Sequence, residues 1–209
     1  VANTPTRGRR AQGYKKSEDS KRQVLDAAIA TLAKRGLGQT SIQDIADAAG
    51  LSKGAVHYHF ESKDELLERV LLRCCETIEM RVRAAFDEPG SPMERVRRAI
   101  FEMWAVRRDA VPEMRVLTEL HALSRQNAAI RKALADALAT TRRQIVEDGL
   151  TKLLELGLRP RVSLETVPRL ILATLDGLSL QHSVAPFQPE EEAELLRALE
   201  ATSLALFEI

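Results

Sequence analysis

The stretch "TSIQDIADAAGLSKGAVHYHFESKDELL", residues 40–67, decides how the rest of the chain is read. Two short segments meet at Gly50, and a longer one follows from Ser62. Ala46, Gly50 and Val56 stand at relative positions 0, +4 and +10. That spacing suits a helix-turn-helix: a small residue lets the second helix pack close, glycine makes the turn, and an apolar residue anchors the second helix. Ile42, Ile45, Ala49 and Leu51 supply the inner face, which leaves Lys53, Gly54, Ala55, His57 and Tyr58 to the outside. The second helix of such a unit enters the major groove of DNA with its N-terminal residues nearest the bases. Phosphate contacts then set register and base-edge contacts set sequence.

Around this core the segment starts are marked by S/T-x-x-E/Q pairs, in which hydroxyl and carboxamide or carboxylate satisfy each other's backbone amides. Ser20 with Gln23, Thr40 with Gln43, and Ser62 with Glu65 fit the pattern. A helix is expected from Ser20, with Leu25, Ala28, Ile29 and Leu32 on one buried face and a stop at Gly36 and Gly38. Helices of about Ser41–Ala48 and from Ser52 follow, then a long one from Ser62. Beyond the break at Glu88–Pro92 the pattern stays helical: Met93 to Asp109, from Pro112, from Asn127 to Gly157, to about Val184, and from Pro189. No alternating strand pattern of useful length occurs. The expectation is an all-α chain of about nine helices.

The composition agrees. Of 209 residues, 44% are hydrophobic, 29% charged and only 4% aromatic, a balance that favours helix over sheet in a globular protein. No apolar run approaches the roughly 18–20 residues needed to cross a bilayer, and the N-terminus lacks the apolar stretch of a secretory signal. A cytoplasmic location is expected, with no membrane partner. The formal net charge is +1, but residues 1–22 hold seven basic groups against Glu18 and Asp19. Residues 1–19 read as a disordered basic arm, either solvated or, through Arg7, Arg9 and Arg10, laid along an anionic polymer.

Other chemistry finds less support. His57 and His59, two apart on a helix, point about 200° from one another and cannot share a metal ion. No nucleophile or metal-protease motif occurs, so no catalytic residue, metal or cofactor is expected. Cys74 and Cys75 are adjacent and read as ordinary thiols rather than a disulfide.

Residues 40–67 closely resemble the DNA-binding signature of the TetR family of bacterial transcriptional regulators, and the specific match covers residues 20 to 67. "LDGLSLQ" (175–181) is similar to the eighth helix of many members. The resemblance implies an N-terminal three-helix DNA-binding domain (20–66) joined by a long fourth helix to a helical ligand-binding and dimerisation domain (67–209). It implies a homodimer on a palindromic double-stranded operator, acting as a repressor released by a small-molecule effector. By position, Thr40 and Ser41 match phosphate contacts, Lys53, Gly54 and Ala55 the base-reading start, and Tyr58, His59 and Lys63 phosphate contacts again. His57 departs from the tyrosine common at its position. Phe60 matches a packing residue. The alternative reading is a ligand-independent architectural or adaptor protein.

In the C-terminal region, Phe101, Trp104, Met114, His121 and Asp176 are candidates for an effector pocket, with core packing or structural hydrogen bonds as the other reading of each. Leu170, Thr174, Gly177, Leu178 and Gln181 form a stripe on the eighth helix. With Leu195 and Leu199 of the last helix, they are expected to build a four-helix interface between two copies.

Overall fold

The computed structural model describes residues 7–208, with side chains described from Ser17. The helices are α1 (Arg7–Arg35), α2 (Ile42–Ala48), α3 (Lys53–His59), α4 (Lys63–Asp87), α5 (Pro92–Arg108), α6 (Pro112–Leu123), α7 (Ala128–Gln144), α8 (Thr151–Glu155), α9 (Thr166–Val184) and α10 (Pro189–Ala205). A π-helical segment, Ile145–Leu150, follows α7 directly and leads into α8. With these three counted as one, the described residues hold nine helices, and the fold is all-α.

The first helix starts earlier than its sequence suggested. It begins at Arg7, so residues 7–19, expected as a disordered arm, are helical. Ser20 and Gln23 do not cap it: the Ser20 hydroxyl lies 3.0 Å from His59 Nε2, and Gln23 Nε2 donates to the Ala49 carbonyl at 2.7 Å. Their start signal is overridden by tertiary partners, and the arm's proline-free basic stretch continues the helix without a break. The expected roles of the Arg7, Arg9 and Arg10 side chains, and residues 1–6, lie outside what is described.

The chain forms two compact units. The first holds residues up to Cys74 together with Arg115–Ala133, so the end of α6 and the start of α7 return to it. Its core is built from Val24, Ala28 and Leu32 of α1, Ile45 and Ala46 of α2, Val56 of α3, Phe60, and Leu66, Val70 and Leu71 of α4. Val116 and Leu120 of α6 and Ile130 of α7 complete it. Gly50 turns the chain between α2 and α3 at φ +65°, and Leu51 N–H donates back to the Ala46 carbonyl at 2.9 Å. That left-handed turn costs little for glycine because it has no Cβ.

The second unit holds Cys75–Met114 and the chain from Leu134 onward. α5 packs on α8 and α9, and α9 on α10. Ile100, Met103, Trp104, Leu153, Ile171, Leu175, Leu196 and Leu199 lie in its core. One feature has no signal in the sequence: Arg159–Pro160 pairs antiparallel with Phe207–Glu208, with Pro160 opposite Phe207. At two residues per strand there is no alternation to read; Phe207 is buried in the core of this unit.

Candidate nucleic-acid interface

α2 and α3 are short, and their first turns are held by side chains. Ser41, not Thr40, caps α2: its hydroxyl accepts from Asp44 N–H (3.2 Å) while Asp44 accepts from Ser41 N–H (2.9 Å). These bonds from the Ser41 hydroxyl and amide hold the Asp44 carboxyl below its usual range, against the opposing effect of burial and with help from Arg35. Ser52 caps α3 by accepting from Ala55 N–H at 3.1 Å. That bond satisfies one of the amides that the first turn of a helix leaves without a partner.

The DNA-contact candidates fall into three groups. Ser41, Lys53, Gly54, His57 and Tyr58 are exposed and Ala55 half-buried, on the outer side of α2 and α3; Tyr58 is 79% exposed. Gly54 is unhindered: a Cβ there would meet only Ser52 Oγ, at 3.8 Å. Packing within the chain therefore does not demand a glycine at this position.

The second group is turned inward. Thr40 is 2% exposed and donates its hydroxyl to the Gly36 carbonyl at 2.7 Å, so it is a loop-closing residue and not a surface contact. His59 is half-buried, bonded to Ser20, with its ring edge-on to Tyr58 and Phe60. Lys63 forms the third case. Its ammonium donates to the carbonyls of Thr40 (2.7 Å) and Leu37 (3.3 Å), which anchors the loop before α2. Sequence matching missed the bonds of His59 and Lys63 because each partner lies 23 or more residues away; the partner of Thr40, the Gly36 carbonyl, is only four residues back. The matching also missed Glu119, whose carboxylate reaches Leu37 N–H across 82 residues at 2.6 Å.

The effector candidates are not gathered at one place. In the second unit a partly open cleft of about 680 Å³ is lined by Phe101, Trp104, Phe187 and Leu196, with Arg108 and Glu192 among its polar residues. Trp104 stacks on Phe187 (6.1 Å), and His182 stands edge-on to both. Burial favours the neutral form of Glu192, but the nearby Trp104 indole N–H and the Arg108 guanidinium outweigh it and keep the carboxyl below its usual range. The indole N–H itself is buried and meets no acceptor in good hydrogen-bonding geometry. Met114 and Asp176 do not line this cleft. Asp176 is exposed and paired with Arg107 at 2.8 Å, and His121 belongs to the first unit, exposed and bonded to the Leu117 carbonyl. Polarity within an apolar pattern marked these two, and each is satisfied locally.

On α9, Leu170, Thr174 and Gln181 are exposed, and a Cβ at Gly177 would meet nothing within 4 Å. Leu180 and Val184, 65% and 84% exposed, extend this face and were missed by the residue pattern. Leu178 and Leu195 are half-buried. Leu199 is a core residue at 6% exposure, because α10 turns that side toward α9 within its own unit; it has no surface to offer a partner. Among the described residues, no three His, Cys, Asp or Glu side chains stand together as a metal site, and no helix is long and apolar enough to cross a membrane.

Fold and surface together define a helix-turn-helix protein with a second helical unit. Residues 24–70 match the family model described as bacterial regulatory proteins, tetR family. Over 74 residues the chain is 36% identical to the HTH-type transcriptional repressor KstR2 of Mycobacterium tuberculosis, which is 35% of this chain and 37% of that protein. It is 35% identical over 72 residues to the HTH-type transcriptional regulator TtgR of Pseudomonas putida, 34% of each. The match thus spans little more than a third of these relatives' length. A transcriptional regulator from Rhodococcus sp. Rha1 shares the fold with a TM-score of 0.74 at 23% identity, covering 90% of this chain and 98% of that one. A TetR transcription regulator from Haloarcula marismortui gives 0.75 at 21%, covering 91% and 100%. Residues 24–70 thus resemble the DNA-binding domain of the tetR family of bacterial regulatory proteins, and the chain as a whole shares the fold of solved transcription regulators.

Proposed function

We propose that this chain is a transcriptional repressor that binds DNA through α3, pairs with a second copy, and releases DNA when a small molecule occupies its second unit. One observation carries the reading: α3 presents Lys53, Gly54, His57 and Tyr58 to solvent, and Gly54 has room for a side chain that it lacks. A bare α carbon at an exposed helix start suits a surface that must come close to another backbone or base edge. Lys53 donates to guanine O6 or N7 and Tyr58 to phosphate; Ser41 adds a phosphate contact at the start of α2. His57 lies beside them, within reach of a base or phosphate.

Pairing is supported by the outward stripe Leu170, Thr174, Gly177, Gln181 and Val184. Its alternating spacing of four and three is that of helices packed side by side, and the open Gly177 permits a close approach. Two copies then read half-sites about one DNA turn, roughly 34 Å, apart. The aromatic cleft at Phe101 and Trp104 supports a small-molecule response of the second unit. The first unit is the reading domain, and the second serves effector and partner.

The test is selection of duplexes from a randomised pool by the wild type. Recovery of an inverted repeat is expected, with affinity falling at least about tenfold for Lys53→Ala with Tyr58→Ala, since each good base or charged contact contributes roughly 1–3 kcal/mol. Recovery of no preferred sequence, with even coating of any duplex, would establish the architectural reading instead.

A further inference from the structure

The loop between α1 and α2 decides where the reading helices sit. Gly36 leaves α1 at φ +83°, Leu37–Gln39 makes one 3₁₀ turn, and Thr40 leads into the Ser41 cap. After that cap nothing bends until Gly50, where the turn is closed on Ala46. A displacement of the loop therefore carries α2 and α3 with it.

Leu37 is held at both ends of its backbone by opposite charges. Its N–H donates to Glu119 Oε2 of α6 at 2.6 Å, and its carbonyl accepts from Lys63 Nζ of α4 at 3.3 Å. The Glu119 carboxylate is seated against the bare Gly36: a Cβ there would lie 3.3 and 3.5 Å from its two oxygens. This end of α6 and the loop belong to the same compact unit. α6 does not need Glu119 to pack, because its flanking residues Val116 and Leu120 are already buried in that unit's core. The carboxylate instead makes a short, charge-assisted bond to a single amide, the kind that adds geometric definition as well as energy.

We infer that Glu119 is a positioning residue for DNA reading: through Leu37 it fixes the loop that sets the pose of α2 and α3. The inference rests on the DNA-binding reading above. Without the carboxylate the loop samples poses that do not present α3 correctly, and apparent affinity falls with the competent fraction. A residue that merely stabilised the fold would act differently. Well below the melting temperature nearly all molecules stay folded, so lost stability alone leaves binding unchanged.

The experiment uses the full chain as wild type, Glu119→Ala and Glu119→Gln. It reads hydrogen exchange at the Leu37 amide and affinity for the duplex selected by the wild type against a scrambled duplex. Glu119→Ala is expected to speed Leu37 exchange at least tenfold and to weaken the selected duplex about tenfold, with the scrambled one changed less than about twofold. Glu119→Gln, whose amide oxygen still accepts, is expected to restore both to within about threefold. An unprotected Leu37 amide in the wild type overturns the inference. So does a folded Glu119→Ala that discriminates between duplexes as well as the wild type. Should the alanine variant not fold, Glu119→Asp, which keeps the charge but withdraws it by one methylene, gives the same ratio with the same meaning. If the wild type itself prefers no duplex, the regulator reading falls and takes this role with it, an outcome separate from the failure of Glu119 alone.

Discussion

Replacing Lys63 by methionine keeps the aliphatic stem and removes the ammonium, which separates two roles for this residue. Its bonds run inward, at 2.7 Å to the Thr40 carbonyl and 3.3 Å to that of Leu37. A hydrogen bond to a charged group contributes about 1.5–3 kcal/mol, and the longer of these two is well past optimal length. The site is half-buried, so water replaces part of what is lost. Together these give about 2 kcal/mol of lost stability, read as a fall in urea midpoint with the slope of the unfolding transition unchanged. DNA binding carries the second readout. Each phosphate neutralised contributes about 0.9 to the slope of log affinity against log salt. With its ammonium engaged by the loop, Lys63→Met leaves that slope within about 0.3 of the wild type, whereas the exposed Lys53, replaced in the same way, lowers it by about 0.9. A Lys63→Met variant of unchanged stability whose salt slope drops by a full contact would refute this, and would place the ammonium on a phosphate.

Two further outcomes follow from local geometry. Gly50 sits at φ +65° with nothing within 4 Å of a prospective Cβ, so Gly50→Ala meets only backbone strain and is expected to cost about 1 kcal/mol in chemical denaturation; a loss above roughly 3 kcal/mol would mean an undetected steric clash. Burial, then the charges of Glu76 and Glu79, push the Cys75 thiol up to about 11. The thiolate is therefore scarce at pH 7.5, and alkylation by iodoacetamide should run roughly a hundredfold slower than for an unperturbed thiol. Labelling as fast as free cysteine would contradict that.

Local rules carried the sequence reading furthest. Ala46, Gly50 and Val56 are related by spacing within one turn, and each plays its expected part: a buried small residue, a left-handed turn and a buried anchor. Ser62 accepts from Glu65 N–H three residues on, as the pattern suggests, while the Glu65 carboxylate takes the Glu61 amide in place of that of Ser62. The cap of α2 was misplaced by one residue, because Asp44 returns the Ser41 amide as readily as a longer acid would.

What stayed hidden depends on distance along the chain. His59 and Lys63 look like surface donors by type, yet their partners are Ser20 and the Leu37 and Thr40 carbonyls, which no local pattern brings to them; Thr40 differs, its hydroxyl being taken by the Gly36 carbonyl four residues back. Glu119 had no signal at all, being an ordinary acid on an amphipathic helix. Similarly, Phe101 and Trp104 share a cleft because they are three apart on α5, while His121 and Asp176 were grouped with them only by polarity. Leu199 shows the limit of counting apolar residues on one helix: which of them face a partner is decided by what that helix packs on.

The aromatic cluster of the second unit also gives the chain an optical reporter. Trp104 is its only tryptophan, 2% exposed, stacked on Phe187 and edge-on to His182. Indole emission excited at the red edge of absorption thus originates from the α5–α9–α10 cluster alone, and the exposed tyrosine of α3 is silent at that wavelength. A molecule entering the cleft would alter the colour or lifetime of that emission without any label, so occupancy of the second unit can be followed by its own optical signal.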